Sequence, residues 1–356
     1  MDQLRAWYTS YELDLARVDR FWRGEGRVIV SLYPTNAAYR QSFDDARVLS
    51  QAPRFLKSQA ALPGVNLPSF YPDWGTISTA KYWGGKPRFD STGGNIFVDP
   101  VARTVDEALA LDPLPLDDPT MDARHALELW RARSDRLATD ALWLRSPDMQ
   151  GPLNTAGLVM NQEEMWMAMY TEPQKVHAYL DRVTDFLIAY AQHLRQETSH
   201  RICGNIWPYT FFPDELGISL TEDMMPLMSA DLYKTFGIPT LRKLQAALGA
   251  LHIHCCGAWG HHAENLARAD LDIKAVEFHY PFTKIEELLC LAPDTVFIPY
   301  IMLEQQETFK SVFEYYHHLL ATTDPSVRFW FACTDDSAEA RAFVASVAAM
   351  ENDENE

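Results

Sequence analysis

The most restrictive feature of the sequence is the regular alternation of strand-like and helix-like segments from residue 141 onwards. Each short apolar run is followed by a segment with helical spacing of its apolar residues, and the runs lie at 141–145, 202–206, 251–257, 273–277, 295–301 and 327–333. Such an alternation favours a parallel sheet whose strands are joined by crossover helices. With a further strand at 27–33, the sequence predicts an α/β fold.

Four chemically reactive side chains lie at or near the ends of three of these runs. His254 and Cys256 belong to the run at 251–257, while Glu277 and Cys333 end two later runs. In a (β/α)8 barrel the carboxyl ends of all the strands meet on one face, where active sites are found. We therefore predict a single (β/α)8 TIM barrel with these side chains at its mouth.

The chain shows no repeat and no low-complexity linker, so we expect one domain spanning residues 1–356. A helical extension at 1–26 precedes the first strand, and an acidic tail occupies 351–356. Residues 62–100 are rich in proline, glycine and aromatic residues, which predicts a long loop-rich excursion near the site.

The alternation of side chains along a strand places His252, His254 and Cys256 on one face. Imidazole and thiolate groups that converge on one face are ligands preferred by zinc. One strand cannot complete a tetrahedral site, so Glu277 and Cys333 are the candidates for the remaining ligands. A single cysteine or histidine is more often a buried core residue, but the combination favours a metal site.

Segment 221–223, Thr-Glu-Asp, follows a predicted loop at 211–220. It is typical of a helix start with Thr221 as the N-cap, and that interpretation alone would explain the acidic residues. We include Asp223 with Glu277 as candidate catalytic residues.

Charge and composition exclude several classes of function. The 356 residues carry a formal net charge of −18, which argues against nucleic acid or an anionic membrane as a partner. We expect no membrane span, because no run of apolar residues is long enough. The start of the chain lacks a signal-peptide pattern, and five cysteines without a disulfide-scaffold spacing suit a reducing environment. We therefore expect a cytoplasmic protein, and leave a homodimer open.

Four stretches of the sequence carry a family resemblance: 148–152 with 172–177, 217–223 with 227–233, the His-Cys-Cys-Gly segment 254–257, and the Phe-Ala-Cys segment 331–333. They resemble the uroporphyrinogen decarboxylase-like superfamily, and within it the zinc-dependent corrinoid methyltransferases that methylate coenzyme M. The resemblance covers residues 140–350 well and the first 140 only loosely. It implies a barrel enzyme that transfers a methyl group to a thiol.

By this resemblance, His254, Cys256 and Cys333 are zinc ligands, and Glu277 is a fourth, exchangeable one. In the family, the methyl group comes from methylcobamide carried by a corrinoid protein. This chain has no Asp-x-His-x-x-Gly cobalamin motif, so the corrinoid would arrive on a partner protein. Two aromatic loops, at 70–83 and 207–212, could bind a corrinoid ring or an aromatic substrate. The candidate cofactor contacts are Tyr71 and Trp74 in the first loop, and Asn205 and Trp207 near the end of the strand at 202–206.

Three alternatives to this function remain open. A zinc-dependent thiol alkyltransferase or lyase could use the same ligands without cobalamin. A decarboxylase of the uroporphyrinogen type is disfavoured, because segment 31–40 holds one arginine where a polycarboxylate substrate needs several cations. A non-catalytic zinc-stabilised or corrinoid-binding scaffold is also disfavoured, since a barrel of this size rarely needs a metal to fold.

Overall fold

The computed structural model describes residues 2–33, 57, 60–70, 75–89, 96–137, 140–204, 210–333, 335 and 337–353. Its α-helices span Asp2–Trp22, Ser78–Lys81, Val105–Ala110, Asp122–Leu137, Pro152–Val159, Gln162–Thr171, Pro173–Glu197, Ala230–Leu248, Ala263–Ala267, Ile285–Leu288, Val312–Thr322 and Ala338–Asp353. Short 3-10 helices occupy Gly75–Ile77, Met225–Leu227, Gly260–His262, Leu289–Leu291 and Leu303–Gln305.

The strands are numbered in chain order as β1 (Val28–Leu32), β2 (Ser69–Phe70), β3 (Lys86–Phe89), β4 (Ile96–Asp99), β5 (Trp143–Arg145), β6 (Ile202–Gly204), β7 (Phe212–Pro213), β8 (Gly217–Thr221), β9 (Ala250–Cys255), β10 (Ile273–Tyr280), β11 (Val296–Ile301) and β12 (Arg328–Cys333). Six of them form one parallel sheet in the order β1-β12-β11-β10-β9-β8.

A second sheet has the order β2-β5-β6-β7, and β3 pairs with β4 in an antiparallel hairpin. The predicted α/β class with a parallel sheet is therefore confirmed. The observed six-stranded sheet does not by itself establish the predicted closed barrel of eight strands.

The two faces of the large sheet pack against different layers. On β12, Phe331 stacks on Tyr316 of helix Val312–Thr322, with the ring centroids 4.3 Å apart. Trp330, on the opposite face, stacks on Trp22 of the N-terminal helix at 5.4 Å. Trp22 also donates a hydrogen bond from Nε1 to the carbonyl oxygen of Phe211, over 3.0 Å. The N-terminal helix thus covers the face of the sheet opposite to the crossover helices.

Three details of the predicted elements were wrong. Strand β7 and the first four residues of β8 lie within the segment 211–220 that the sequence predicts to be a loop. Thr221 ends β8 instead of starting a helix, and the next α-helix begins at Ala230 with Ser229 as its N-cap. β10 continues to Tyr280, so Glu277 is not the last residue of its strand.

At the end of the described chain, helix Ala338–Asp353 includes the first three residues of the predicted acidic tail. None of the helices in the described ranges combines the length and apolar character that a membrane span requires.

Candidate metal centre

His254 and Glu277 lie side by side because their strands are neighbours in the sheet. β9 and β10 are parallel, and their register pairs His254 with Glu277. Both side chains project from the face opposite to the crossover helices, since the alternate residues Ile253, Cys255 and Val276 join the helix-facing core. His254 Nδ1 is 2.9 Å from Glu277 Oε1.

The two side chains form a buried ion pair. Burial opposes a charge on His254, but the Glu277 carboxylate, with Cys256 and Asp223, outweighs burial and raises the pKa of His254 well above 6.5. Burial likewise raises the pKa of a carboxyl group, yet the imidazoles of His254 and His279 hold the pKa of Glu277 below 4.5. Their opposite charges stabilise each other where water does not reach.

His279 is a member of this cluster that the sequence analysis missed. It lies two residues beyond Glu277 on β10 and therefore shares its face. His279 Nε2 is 3.4 Å from Glu277 Oε1, and the imidazole stacks near the ring of Tyr300 with centroids 4.7 Å apart. The alternation from Glu277 could have predicted this residue, but the predicted strand ended at Glu277.

A second group lies on the more exposed side of His254. Asp223 Oδ1 accepts a hydrogen bond from the backbone N–H of Cys256 over 2.9 Å, and it is 3.8 Å from His254 Nε2. Cys256 is exposed, and the Asp223 side chain is 33% exposed. Asp223 reaches this position because it follows the end of β8, which is the neighbour of β9.

Both groups have the chemistry and the spacing of a metal site. The ligand atoms of Asp223, His254 and Cys256 all lie within 4.8 Å of one another, as do those of His254, Glu277 and His279. In addition, Glu277 Oε2 is fully buried and has no hydrogen-bond partner among the described residues. A buried carboxylate oxygen without a partner is costly, and a bound cation would satisfy it. The residues present therefore fit a metal ion.

Two other side chains lie outside these groups: His252, which we expect to be a core or supporting residue, and the predicted ligand Cys333. His252 is fully buried, its Nδ1 is 2.8 Å from Ser219 Oγ, and burial lowers its pKa to about 4, so it is an uncharged core residue. Cys333 belongs to neither group of potential ligands. It is 5% exposed, it joins the helix-facing core with Phe331, and burial raises its pKa above 9.0.

The predicted cofactor contacts Tyr71, Trp74, Asn205 and Trp207 lie outside the described residues. The structure consequently brings together His254, Cys256, Glu277 and Asp223 from the predicted set. It adds His279.

Comparison with known proteins finds similarity to methyltransferases. The chain is 30% identical over 112 residues to a methylated-thiol–coenzyme M methyltransferase from Methanosarcina mazei, a match that covers 31% of this chain and 27% of that protein. The match thus spans well under two thirds of the relative's length. No family model matches the chain.

Among solved structures, the chain is similar to a methyltransferase from Methanosarcina mazei, with a TM-score of 0.64, 11% identity, and coverage of 92% of this chain and 95% of that one. A B12-independent methionine synthase from a Shewanella species, in complex with selenomethionine, gives a TM-score of 0.48 with 10% identity, over 92% of this chain and 98% of that one. The predicted resemblance is confirmed at this level: the chain has a methyltransferase-like fold and shares part of its sequence with a methyltransferase that acts on coenzyme M.

Proposed function

We propose that this protein is a zinc-dependent methyltransferase that moves a methyl group from a methylated corrinoid, carried by a partner protein, to a small thiol. The observation that carries the proposal is that His254 belongs to two groups of potential ligands, one with Asp223 and Cys256 and one with Glu277 and His279. Within each group the ligand atoms lie within 4.8 Å of one another. The partial sequence match to a methylated-thiol–coenzyme M methyltransferase supports the choice of a thiol and a methyl group as substrates.

We also infer that the two sheets close into the predicted (β/α)8 barrel. At one junction, Val65, in the segment that leads to β2, donates a backbone hydrogen bond to Val30 of β1 over 2.8 Å. At the other, Thr221 of β8 donates to Met149, which follows β5, over 3.0 Å. Contacts between the two sheets at both junctions support a ring with the metal centre at the carboxyl ends of its strands.

For the metal ligands we propose His254, Cys256 and Glu277. The resemblance gives Cys333 as a further ligand, although this residue belongs to the helix-facing core. When bound, zinc would lower the pKa of a coordinated thiol, so that the sulfur is held as the nucleophilic thiolate. Its charge would also stabilise the buried Glu277 carboxylate, whose Oε2 lacks a hydrogen-bond partner among the described residues.

The protein residues would bind and orient the reactants. Without the ion, Glu277 holds His254 beside it by charge attraction, since Glu277 Oε1 lies 2.9 Å from His254 Nδ1. Asp223 is our candidate for the base that takes the thiol proton, since its partly exposed carboxylate lies on the open side beside Cys256. Tyr71, Trp74, Asn205 and Trp207 remain the predicted contacts to the corrinoid, whose apolar faces suit aromatic walls.

The proposal is tested with free methylcobalamin as the methyl donor and coenzyme M or homocysteine as the acceptor. We expect the zinc-loaded protein to demethylate methylcobalamin slowly in the presence of an accepted thiol, seen as loss of the methyl–cobalt absorbance. Cys256→Ala should abolish the reaction. Cys290→Ala is the matched control, because Cys290 is also an exposed cysteine but lies outside both groups.

Two results would count against the proposal. If no thiol supports demethylation and no corrinoid binds, the cobalamin-free alkyltransferase or lyase becomes the better assignment. If Cys256→Ala reacts as fast as Cys290→Ala, the thiolate of Cys256 has no part in the reaction.

A further inference from the structure

Glu277 lies between two imidazoles, and only one of them is part of the predicted ligand set. His254 approaches Glu277 Oε1 at 2.9 Å from β9, and His279 approaches the same oxygen at 3.4 Å from β10. The two rings meet edge to face with centroids 5.4 Å apart. We call His254, Glu277 and His279 the inner group.

The inner group is almost completely shielded from water. Its three residues are 7%, 0% and 7% exposed, in the order His254, Glu277 and His279. In a buried cluster of this kind, each polar atom normally has a hydrogen-bond partner. Here the second oxygen of Glu277 has no hydrogen-bond partner among the described residues. The arrangement is thus an incomplete polar network in a dry environment, which is costly without a further ligand.

The spacing within the inner group fits one divalent ion. Ligands at about 2.1 Å from a tetrahedral metal lie about 3.4 Å from each other. The observed separations of 2.9 Å and 3.4 Å to Glu277, and the limit of 4.8 Å for the whole group, need only small side-chain movements to reach that geometry. Two imidazoles and one carboxylate are a donor set used by catalytic zinc and by non-haem iron.

The remaining predicted ligand, Cys333, has the opposite orientation. Alternation along β12 places it with Phe329 and Phe331, and all three belong to the helix-facing core. Trp330 and Ala332 belong to the core on the other face of the strand. His254, Glu277 and His279 project from that other face, so Cys333 lies on the opposite side of the sheet.

We propose that His279 is a metal ligand together with His254 and Glu277, in the position that the resemblance gives to Cys333. This inference rests on the proposed metal-dependent function and specifies its ligand set. Cys256 keeps its proposed role as the ligand on the open side of the site, where the substrate thiol would also bind. Replacing one thiolate by a neutral imidazole makes the site less negative by one charge and richer in nitrogen and oxygen donors. Such a site should accept Co²⁺ as well as Zn²⁺.

A purely structural role for His279 makes different predictions. A residue that only orients a ligating carboxylate typically changes metal affinity by about 10- to 100-fold when it is replaced. A direct ligand should change it by about 100-fold or more, and should also appear in the coordination sphere. The contact of 3.4 Å between His279 and Glu277 is long for an orienting hydrogen bond, which favours the direct role.

The test is X-ray absorption of the zinc-loaded wild-type protein, combined with metal affinities from competition with a chromogenic chelator. We expect two imidazole ligands in the wild type and one in His279→Ala, with zinc affinity lowered about 100-fold or more. Cys333→Ala should keep both imidazoles and near wild-type affinity. His252→Ala is the matched control, since it removes a buried imidazole that lies on the same sheet face but is not a member of the inner group.

One imidazole in the wild type, or loss of zinc in Cys333→Ala with affinity retained in His279→Ala, would overturn the inference. The number of imidazole ligands in the wild type decides between His279 and Cys333 even if a variant fails to fold. Failure of methyl transfer with two imidazoles present would refute the proposed reaction and leave the ligand assignment standing. One imidazole ligand together with active methyl transfer would refute the ligand assignment and leave the proposed reaction standing.

Discussion

His262 should make the folded protein sensitive to acid. This histidine is fully buried, and its Nε2 lies 2.8 Å from the carbonyl oxygen of Met225, to which the neutral ring donates. Its ring lies 4.7 Å from Tyr233 and 3.9 Å from His261, measured between centroids. Burial lowers the pKa of His262 from 6.5 to about 4. The folded state therefore keeps this side chain neutral down to about that pH.

The direction and size of the effect follow from the difference in pKa between the folded and unfolded states. Below pH 6.5 the unfolded chain binds a proton at His262, whereas the folded chain does not until the pH approaches 4. Stability is thus lost as the pH falls through this window. Since one pKa unit corresponds to about 1.36 kcal/mol, the full effect is about 3 kcal/mol. About 2 kcal/mol of it should be lost between pH 6.5 and pH 4.5.

The assay is urea unfolding, followed by tryptophan fluorescence at both pH values, for the wild type and His262→Gln. Glutamine keeps an N–H donor for the Met225 carbonyl but does not titrate. The wild type should lose about 2 kcal/mol more unfolding free energy than the variant on acidification. His318→Gln, which replaces an exposed histidine, should behave like the wild type. Equal losses in the wild type and His262→Gln would refute the reasoning.

Three further predictions concern the sheet and the open side of the site. Gly217→Ala should lower the free energy of unfolding by about 2–3 kcal/mol in urea titrations, because a Cβ there would overlap the carbonyl oxygen of Ala250 in the adjacent β9. Trp22→Ala should lower the free energy of unfolding by about 3–5 kcal/mol, because it removes the ring stacked on Trp330. Leu13 lies in the same helix and is 77% exposed, so Leu13→Ala should change that free energy by less than about 0.5 kcal/mol. Asp223→Asn should lower the rate of thiol methylation by about 10²-fold or more at neutral pH with little change in thermal unfolding, and a rate equal to that of the wild type would exclude Asp223 as the base.

The sequence was sufficient for the features that depend on pattern alone. The alternation of strands and helices predicted the parallel sheet, and the similar positions of His254 and Glu277 in consecutive strands predicted their proximity. β8 was missed because its five residues follow directly on β7 without an intervening helix, so the expected alternation is absent there. The acidic residues after Thr221 then resembled a helix start, although they follow a strand end.

The end of a strand, and the face that its last residue takes, were the features of the site that the sequence predicted least well. Ending β10 at Glu277 hid His279, although both residues lie on one face of the same strand. Cys333 was chosen for its place at a strand end, but alternation from Phe331, which stacks on Tyr316, assigns it to the helix-facing side. Where strands end, and which face each end residue takes, depends on tertiary packing that a local pattern does not encode.

The metal content of His254→Ala tests the central claim most directly, because His254 is the one residue shared by both groups of ligand atoms. The wild type and His252→Ala should each purify with about one equivalent of zinc, whereas His254→Ala should lose it while keeping its fold by circular dichroism. Equal zinc in His254→Ala and His252→Ala, or no specific metal in the wild type after loading with zinc, would contradict the assignment of this centre as a metal site.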